Sequence, residues 1–162
     1  PLAPAAEEEP AEPLAGPVPL TPAQRWFFAD PPPNPSHWNH AVLVSLRQAA
    51  TPGQVASAVR AALGRHDAFR LRFRRTEAGW EQAYADRDDP VPFETVEVDG
   101  AAALTAHAAA VQRALDLTGG PLARAVLYIL PAPERPRLLI AAHHLVVDGV
   151  SWRVLLHDFA SR

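Results

Sequence analysis

The sequence predicts an α/β fold, a mixed sheet with packed helices. Segments with apolar residues at helical spacing alternate with short apolar or alternating runs of strand length, in the order α-β-α-β-β-β-α-β-β-α. Threonine, proline and glycine stand at the boundaries, where caps and turns need them. No internal repeat is present.

The elements follow in chain order. Residues 1–19, PLAPAAEEEPAEPLAGPVP, hold proline, alanine and acid with almost no large apolar side chain. Eleven of the eighteen prolines fall within the first 35 residues. Such a segment buries too little surface to offset its ordering entropy and reads as a semi-extended linker. We therefore expect further chain before it, with a globular unit over 20–162. LTPAQRWFFAD reads as a short helix, with Thr21 as N-cap, Pro22 at the first helical position and PPP as its stop. Trp26, Phe27 and Phe28 on it read as core. HWNHAVLVSL alternates like a strand, and TPGQVASAVRAALGRHDAF is an amphipathic helix burying Val55, Val59, Ala62 and Leu63.

RLRFRR and GWEQAYA form a hairpin across Thr76 to Gly79, with Arg70, Arg72 and Arg74 on its solvated or ion-paired face. FETVEV is a further strand, and AAALTAHAAAVQRALDL is helical by propensity. LARAVLYIL and RLLIAAHH are apolar strands around the turn at Pro131–Pro136, and GVSWRVLLHDF is a final helix.

Composition removes several function classes. At 162 residues the chain can bury a real core, and 48% apolar with 20% charged residues is ordinary for a globular unit. A net charge of -3 gives no general attraction to nucleic acid or an anionic membrane. No apolar run is long enough to span a bilayer, so cytoplasm is the default compartment. The absence of cysteine excludes disulfides, thiolate metal sites and cysteine nucleophiles. All fifteen basic residues are arginine, which excludes lysine Schiff-base chemistry and the lysine-bearing phosphate loop within this chain. With no methionine, even at position 1, the chain reads as a piece of something longer.

The chemistry concentrates in LLIAAHHLVVDGVSWRVLL. Side chains alternate along a strand, so His143 and His144 should face opposite sides and cannot share one metal ion. No second ligand cluster exists in the sequence, and a metal is not expected. A neutral imidazole at a strand end is a suitable acid or base near neutral pH. Asp148 and Gly149 form the turn into the last helix, where aspartate folds back on the strand end or caps the helix. His37, Trp38 and His40 flank the start of a strand. His66, His107 and His157 have no partner apparent along the chain and receive surface or capping roles.

HHLVVDGVSW resembles the HHxxxDG signature of the condensation-domain superfamily of nonribosomal peptide synthetases. LTPAQRWFF is similar to that family's opening motif, RHDAFRLRF to its RHxxLRxxF motif with Phe69 at the leucine, and NPSHWNHAVLV to the region after the first helix. The likeness is stronger to the epimerization branch, whose PIQxWF opening is met by Pro22, Gln24, Trp26 and Phe27, with Ala23 departing. DGVSWRVL and FRRTEAGWEQ point the same way. The resemblance runs from about Leu20 to the end. It implies the N-terminal lobe of a two-lobed chloramphenicol-acetyltransferase-like fold, whose C-terminal lobe this chain lacks. The resemblance implies an active site in the tunnel between the lobes, so an isolated lobe should be inactive.

The resemblance makes His144 the acid/base residue, with His143, Asp148, Gly149 and Arg70 supporting its loop. An Arg70–Asp148 pair would fix that loop. Ser151, Trp152 and His37 are the residues expected to face the tunnel or substrate, and Trp38 and His40 are expected to approach the tunnel or the carrier-protein entrance. The implied reaction is L-to-D epimerization at the α-carbon of an aminoacyl or peptidyl thioester. The substrate rides on the 4′-phosphopantetheine arm of a peptidyl carrier protein, and the domain binds no cofactor of its own. Other partners would be the missing lobe, whose glutamate is thought to act with the histidine, and neighbouring synthetase modules.

Three alternatives stand beside this reading. A condensation domain would form an amide between two carrier-bound substrates. A non-catalytic docking lobe would fit a natural chain ending near Arg162. A glycerolipid acyltransferase matches the HxxxxD spacing of His143 and Asp148, yet no glycine–arginine phosphate motif or membrane helix accompanies it.

Overall fold

Thr-Pro-x-Gln occurs at 21–24 and again at 51–54, and in the computed structural model each copy starts a helix. The structure describes residues 14–47, 49–85 and 89–160. Helix α1 spans Pro22–Ala29 and α2 spans Pro52–Leu63. In both, the threonine hydroxyl accepts the backbone N–H three residues on at 3.3 Å, and the glutamine Oε1 accepts the threonine N–H at 2.8 Å. Each box satisfies amide donors that a helix start leaves unpaired, where proline lacks only a donor already without a partner. Val55, Val59, Ala62 and Leu63 form the buried stripe of α2, as their spacing predicts.

The strands divide into two sheets. β1 (Gly16–Val18), β3 (Leu71–Thr76) and β4 (Gly79–Tyr84) make an antiparallel sheet in the order β1-β4-β3. β2 (Asn39–Ser45), β5 (Phe93–Glu97), β6 (Ala123–Ile129) and β7 (Arg137–His143) make the second, in the order β2-β7-β6-β5. Among the described residues only β5 and β6 pair in parallel, and α3 (Ala101–Arg113) crosses between them. The last helix, α4, covers Gly149–Ala160. Short 3₁₀ turns occupy Pro35–His37 and Asp67–Arg70.

One expectation is corrected here. The stretch read as linker contains β1, whose Gly16–Val18 pairs with Gln82–Tyr84. Pro17 is tolerated because β1 is an edge strand, and Gly16 adopts φ +74°. Residues 1–13 of that stretch lie outside the described residues. The expected mixed sheet with packed helices is present as β2-β7-β6-β5, and the β3–β4 hairpin belongs to a second sheet. The β3–β4 hairpin separates because Leu71 and Phe73 pack on Phe27, Phe28, Leu117 and Leu122, a core of their own.

The four-stranded sheet is covered on both faces. Val55, Val59 and Leu63 of α2 and Trp152 and Leu155 of α4 pack on Leu127, Leu138, Ile140 and Ala142. Leu104 and Val111 of α3 pack on Val126, Tyr128, Leu139 and Ala141. β7 is consequently buried from Leu138 to His143, which is why it reads as a continuous apolar run. Each fully buried leucine or valine there contributes roughly 1.5–3 kcal/mol. Tyr128, fully buried on the α3 face, keeps a polar partner in His107 Nδ1 at 3.0 Å, so His107 is not a surface residue without a contact. Burial, and then Glu94, push the Tyr128 hydroxyl up to about 12.

Candidate functional site

β7 ends at His143 and His144 follows it at the end of the sheet, and the surroundings of the two differ completely. His143 is fully buried. Its Nε2 donates to the Pro35 carbonyl at 2.8 Å and its Nδ1 accepts the Leu145 N–H at 3.1 Å. Both ring nitrogens are therefore used, and the partners fix one neutral tautomer. Phe27 and Trp38 meet the ring edge-on, with centroids 6.0 and 6.4 Å away. Burial holds its pKa below the ordinary imidazole value, with the Pro35 hydrogen bond opposing and His144 adding to the shift.

His144 is partly exposed. Its backbone N–H donates to the Trp38 carbonyl at 2.9 Å, which continues the β2–β7 ladder by one residue. Its Nδ1 lies 2.8 Å from the Val147 carbonyl. A carbonyl can only accept, so Nδ1 carries the hydrogen and Nε2 keeps the lone pair of the neutral ring. The Trp38 ring packs on it at 4.4 Å and 40°, and the His40 ring at 3.9 Å and 39°. Trp38 is itself stacked on Phe27 of α1 at 4.6 Å, so the first helix supports the wall of the site. His144 lines an open cavity of about 510 Å³ together with Trp26, Trp38, Asp148 and Ser151.

Asp148 serves α4. Its Oδ1 accepts the N–H of Val150 at 3.0 Å, the N–H of Ser151 at 2.7 Å and the Ser151 hydroxyl at 2.7 Å. Those bonds, the Ser151 amide first and its hydroxyl next, hold the carboxyl below the usual range against a smaller opposing effect of burial. This is helix capping by an aspartate through one carboxylate oxygen. The expected Arg70–Asp148 pair is absent among the described residues. Arg70 instead bonds Asp67 at 2.5 Å and the carbonyls of Leu14 and Ala85 at 3.0 and 2.8 Å. It ties the Asp67–Arg70 turn and the end of β4 together, because it precedes β3 on the side of the small sheet.

Other expected residues fall variously. Gly149 sits at the start of α4, and a methyl group on it would meet nothing within 4 Å. Its glycine character is thus not required by the backbone here. Ser151 lines the cavity, whereas Trp152 is buried in the α2–α4 core and does not face it. A residue one position on from Ser151 is turned about 100° around the helix, which carries it away from the cavity side. His37 is exposed at the end of its 3₁₀ turn, lending its carbonyl to Asn39 Nδ2 at 2.7 Å, and does not line the cavity. Trp26, expected in the core, is 76% exposed at the cavity wall, while Phe27 and Phe28 are buried. His66 has a partner in Asp158 of α4 at 3.0 Å. The RLRFRR face is ion-paired as expected: Arg72 with Asp89, and Arg74 with Glu81 at 3.2 Å.

Of the residues flanking the strand start and expected near the tunnel or carrier entrance, Trp38 and His40 pack on His144 and His37 does not line the cavity. The spacing of two residues between Trp38 and His40 puts both on one strand face, and that is the available signal. Their meeting with His144 depends on the β2–β7 register, which pairs His40 with Ala142. Among the described residues, no group of three or more His, Asp or Glu is arranged to hold a metal ion, and no helix is long and apolar enough to cross a membrane.

The profile of the Condensation domain family matches residues 15–162. The chain belongs to the condensation-domain family. Its relatives include a linear gramicidin synthase of Brevibacillus parabrevis, 44% identical over 153 residues, which are 90% of this chain and 2% of that protein. The crystal structure of the epimerization domain from the third module of tyrocidine synthetase B is 33% identical, with a TM-score of 0.83. That match covers 91% of this chain and 34% of the other. The starter condensation domain of rhizomide synthetase, at 22% identity, TM-score 0.73 and 89% and 36% coverage, shares the fold. This condensation-family chain thus spans about a third of the solved domains that it matches.

Proposed function

We propose that this chain supplies the base-bearing lobe of a carrier-protein-dependent epimerase in a nonribosomal peptide synthetase. The observation that supports this reading is His144, pinned through Nδ1–H and holding its Nε2 lone pair in a ring that lines an open cavity. The likeness to an epimerization domain exceeds that to the starter condensation domain in both identity and TM-score. The substrate is an aminoacyl or peptidyl thioester on the 4′-phosphopantetheine arm of a partner carrier protein, and the domain itself holds no cofactor.

In the proposed step, His144 Nε2 takes the α-proton and the C–H electron pair moves into an enolate of the thioester. The imidazolium formed keeps its Nδ1–H on the Val147 carbonyl, so the ring need not turn. Return of a proton to the opposite face of the α-carbon inverts the centre. The acid on that face comes from a second lobe, which the reading requires beside this one.

A condensation domain is the second reading, favoured by the family profile, and in it the same histidine serves amide formation. The test supplies the full-length protein with an aminoacyl-loaded carrier protein in deuterated water. The epimerase reading predicts α-deuterium and mixed stereochemistry, with exchange reduced roughly hundredfold or more in His144→Ala. Peptide formation without α-exchange selects condensation, and exchange that survives in His144→Ala removes His144 from its role.

A further inference from the structure

The His144 imidazole is held at three points. The Val147 carbonyl fixes one edge, Trp38 packs at 4.4 Å, and the His40 ring packs at 3.9 Å. Among the described residues no hydrogen bond joins the two imidazoles, so their relation is ring against ring. The geometry points to His40 as a positioning residue of the His144 site, an uncharged ring that orients His144 and accommodates the imidazolium formed on proton abstraction. This inference rests on the base role proposed above for His144 and adds a partner for it from β2.

The electrostatic surroundings agree. The charged or titratable groups acting on His40 are His144 from the end of β7 and Asp148 from the loop before α4. Burial lowers the His40 pKa most and His144 lowers it further, while Asp148 opposes them. The lowered pKa favours an uncharged His40, which presents a polarizable aromatic face to a cation formed on the ring beside it. Two protonated rings at this separation would repel, so a positive charge at position 40 opposes proton uptake by His144. Phenylalanine could replace the ring, alanine could not, and lysine would introduce the charge that the site avoids.

The experiment compares His40→Phe, His40→Ala and His40→Lys in the full-length protein. α-Deuterium exchange on a loaded carrier protein gives kcat, KM and the pH profile. Histidine C2-hydrogen exchange read by mass spectrometry gives the titration midpoint of His144 with no substrate present. His40→Ala should lower kcat about tenfold with KM for the carrier unchanged, because orientation rather than binding is lost. His40→Phe should restore most of that loss. His40→Lys should move the His144 midpoint down by about one pH unit.

An unchanged kcat in His40→Ala would refute positioning. Failure of His40→Phe to restore activity would show that the nitrogens of His40 are used, and would overturn the ring role. An unmoved His144 midpoint in His40→Lys would show that the rings do not face each other. If the wild-type protein exchanges no α-proton, the epimerase reading fails, while the substrate-free midpoint still tests the contact.

Discussion

Adjacent residues of the same type, His143 and His144, differ because both ring nitrogens of His143 are hydrogen-bonded, whereas His144 is pinned through Nδ1 in a ring that lines the cavity. His143 is a buried neutral imidazole, and its chemistry is structural. Its pKa is lowered in the folded protein, by burial first, so the unfolded chain binds the proton at a higher pH than the folded one. Stability should be full above the ordinary histidine value of about 6.5 and fall as pH drops toward the lower folded value. Urea unfolding midpoints between neutral and mildly acidic pH would measure this. In His143→Asn the acid-side decline should flatten, at the cost of a lower midpoint near neutrality. A slope unchanged by the substitution would show that His143 contributes none of it. Asp148 also belongs at this scale: the resemblance assigns it an arginine, but three donors of its own helix start converge on its Oδ1.

Among the elements, α4 carries the site loop through its N-terminus. Asp148 caps it, Trp152 and Leu155 bury it against the sheet, and Asp158 joins it to His66. A cap needs an oxygen acceptor and not a full charge. Asp148→Asn should therefore keep the thermal midpoint close to wild type, whereas Asp148→Ala should lower it. Equal losses in the two variants would indicate a charge-dependent partner instead. α1 shows the limit of helical periodicity for short helices. Phe27 and Phe28 are buried and Trp26 is open to solvent, because an eight-residue helix packed on one side must expose part of any three-residue aromatic run.

Over the whole molecule, a three-layer unit built on β2-β7-β6-β5 is joined to the smaller sheet β1-β4-β3 through one aromatic cluster. Phe73 is fully buried in it, with the Phe28 ring 5.5 Å away. Phe73→Ala should destabilise the fold by about 3–5 kcal/mol in chemical denaturation. A loss under about 1 kcal/mol would mean that the cluster relaxes around the cavity and does not fasten the small sheet. The cluster continues to the site, because Phe27 in it carries Trp38 and Trp38 meets His144.

Both threonine caps, the stripe of α2, the β3–β4 hairpin, the apolar runs of β6 and β7 and the order of elements after β1 are legible along the chain. Each depends on neighbours within one or two helical turns or within one strand. The different surroundings of His143 and His144 are legible for the same reason, since alternation is a local property. β1 is hidden because three residues without a strong apolar pattern become a strand only when β4 offers its edge. The partition into two sheets, the separation of Arg70 from Asp148, the burial of Trp152 and the packing of His40 on His144 are decided by tertiary structure alone. These depend on strand register and on which helix face meets which sheet, relations between residues far apart in sequence. The sequence by itself thus determined the local elements and the histidine pair, while packing decided which side chains surround the His144 ring.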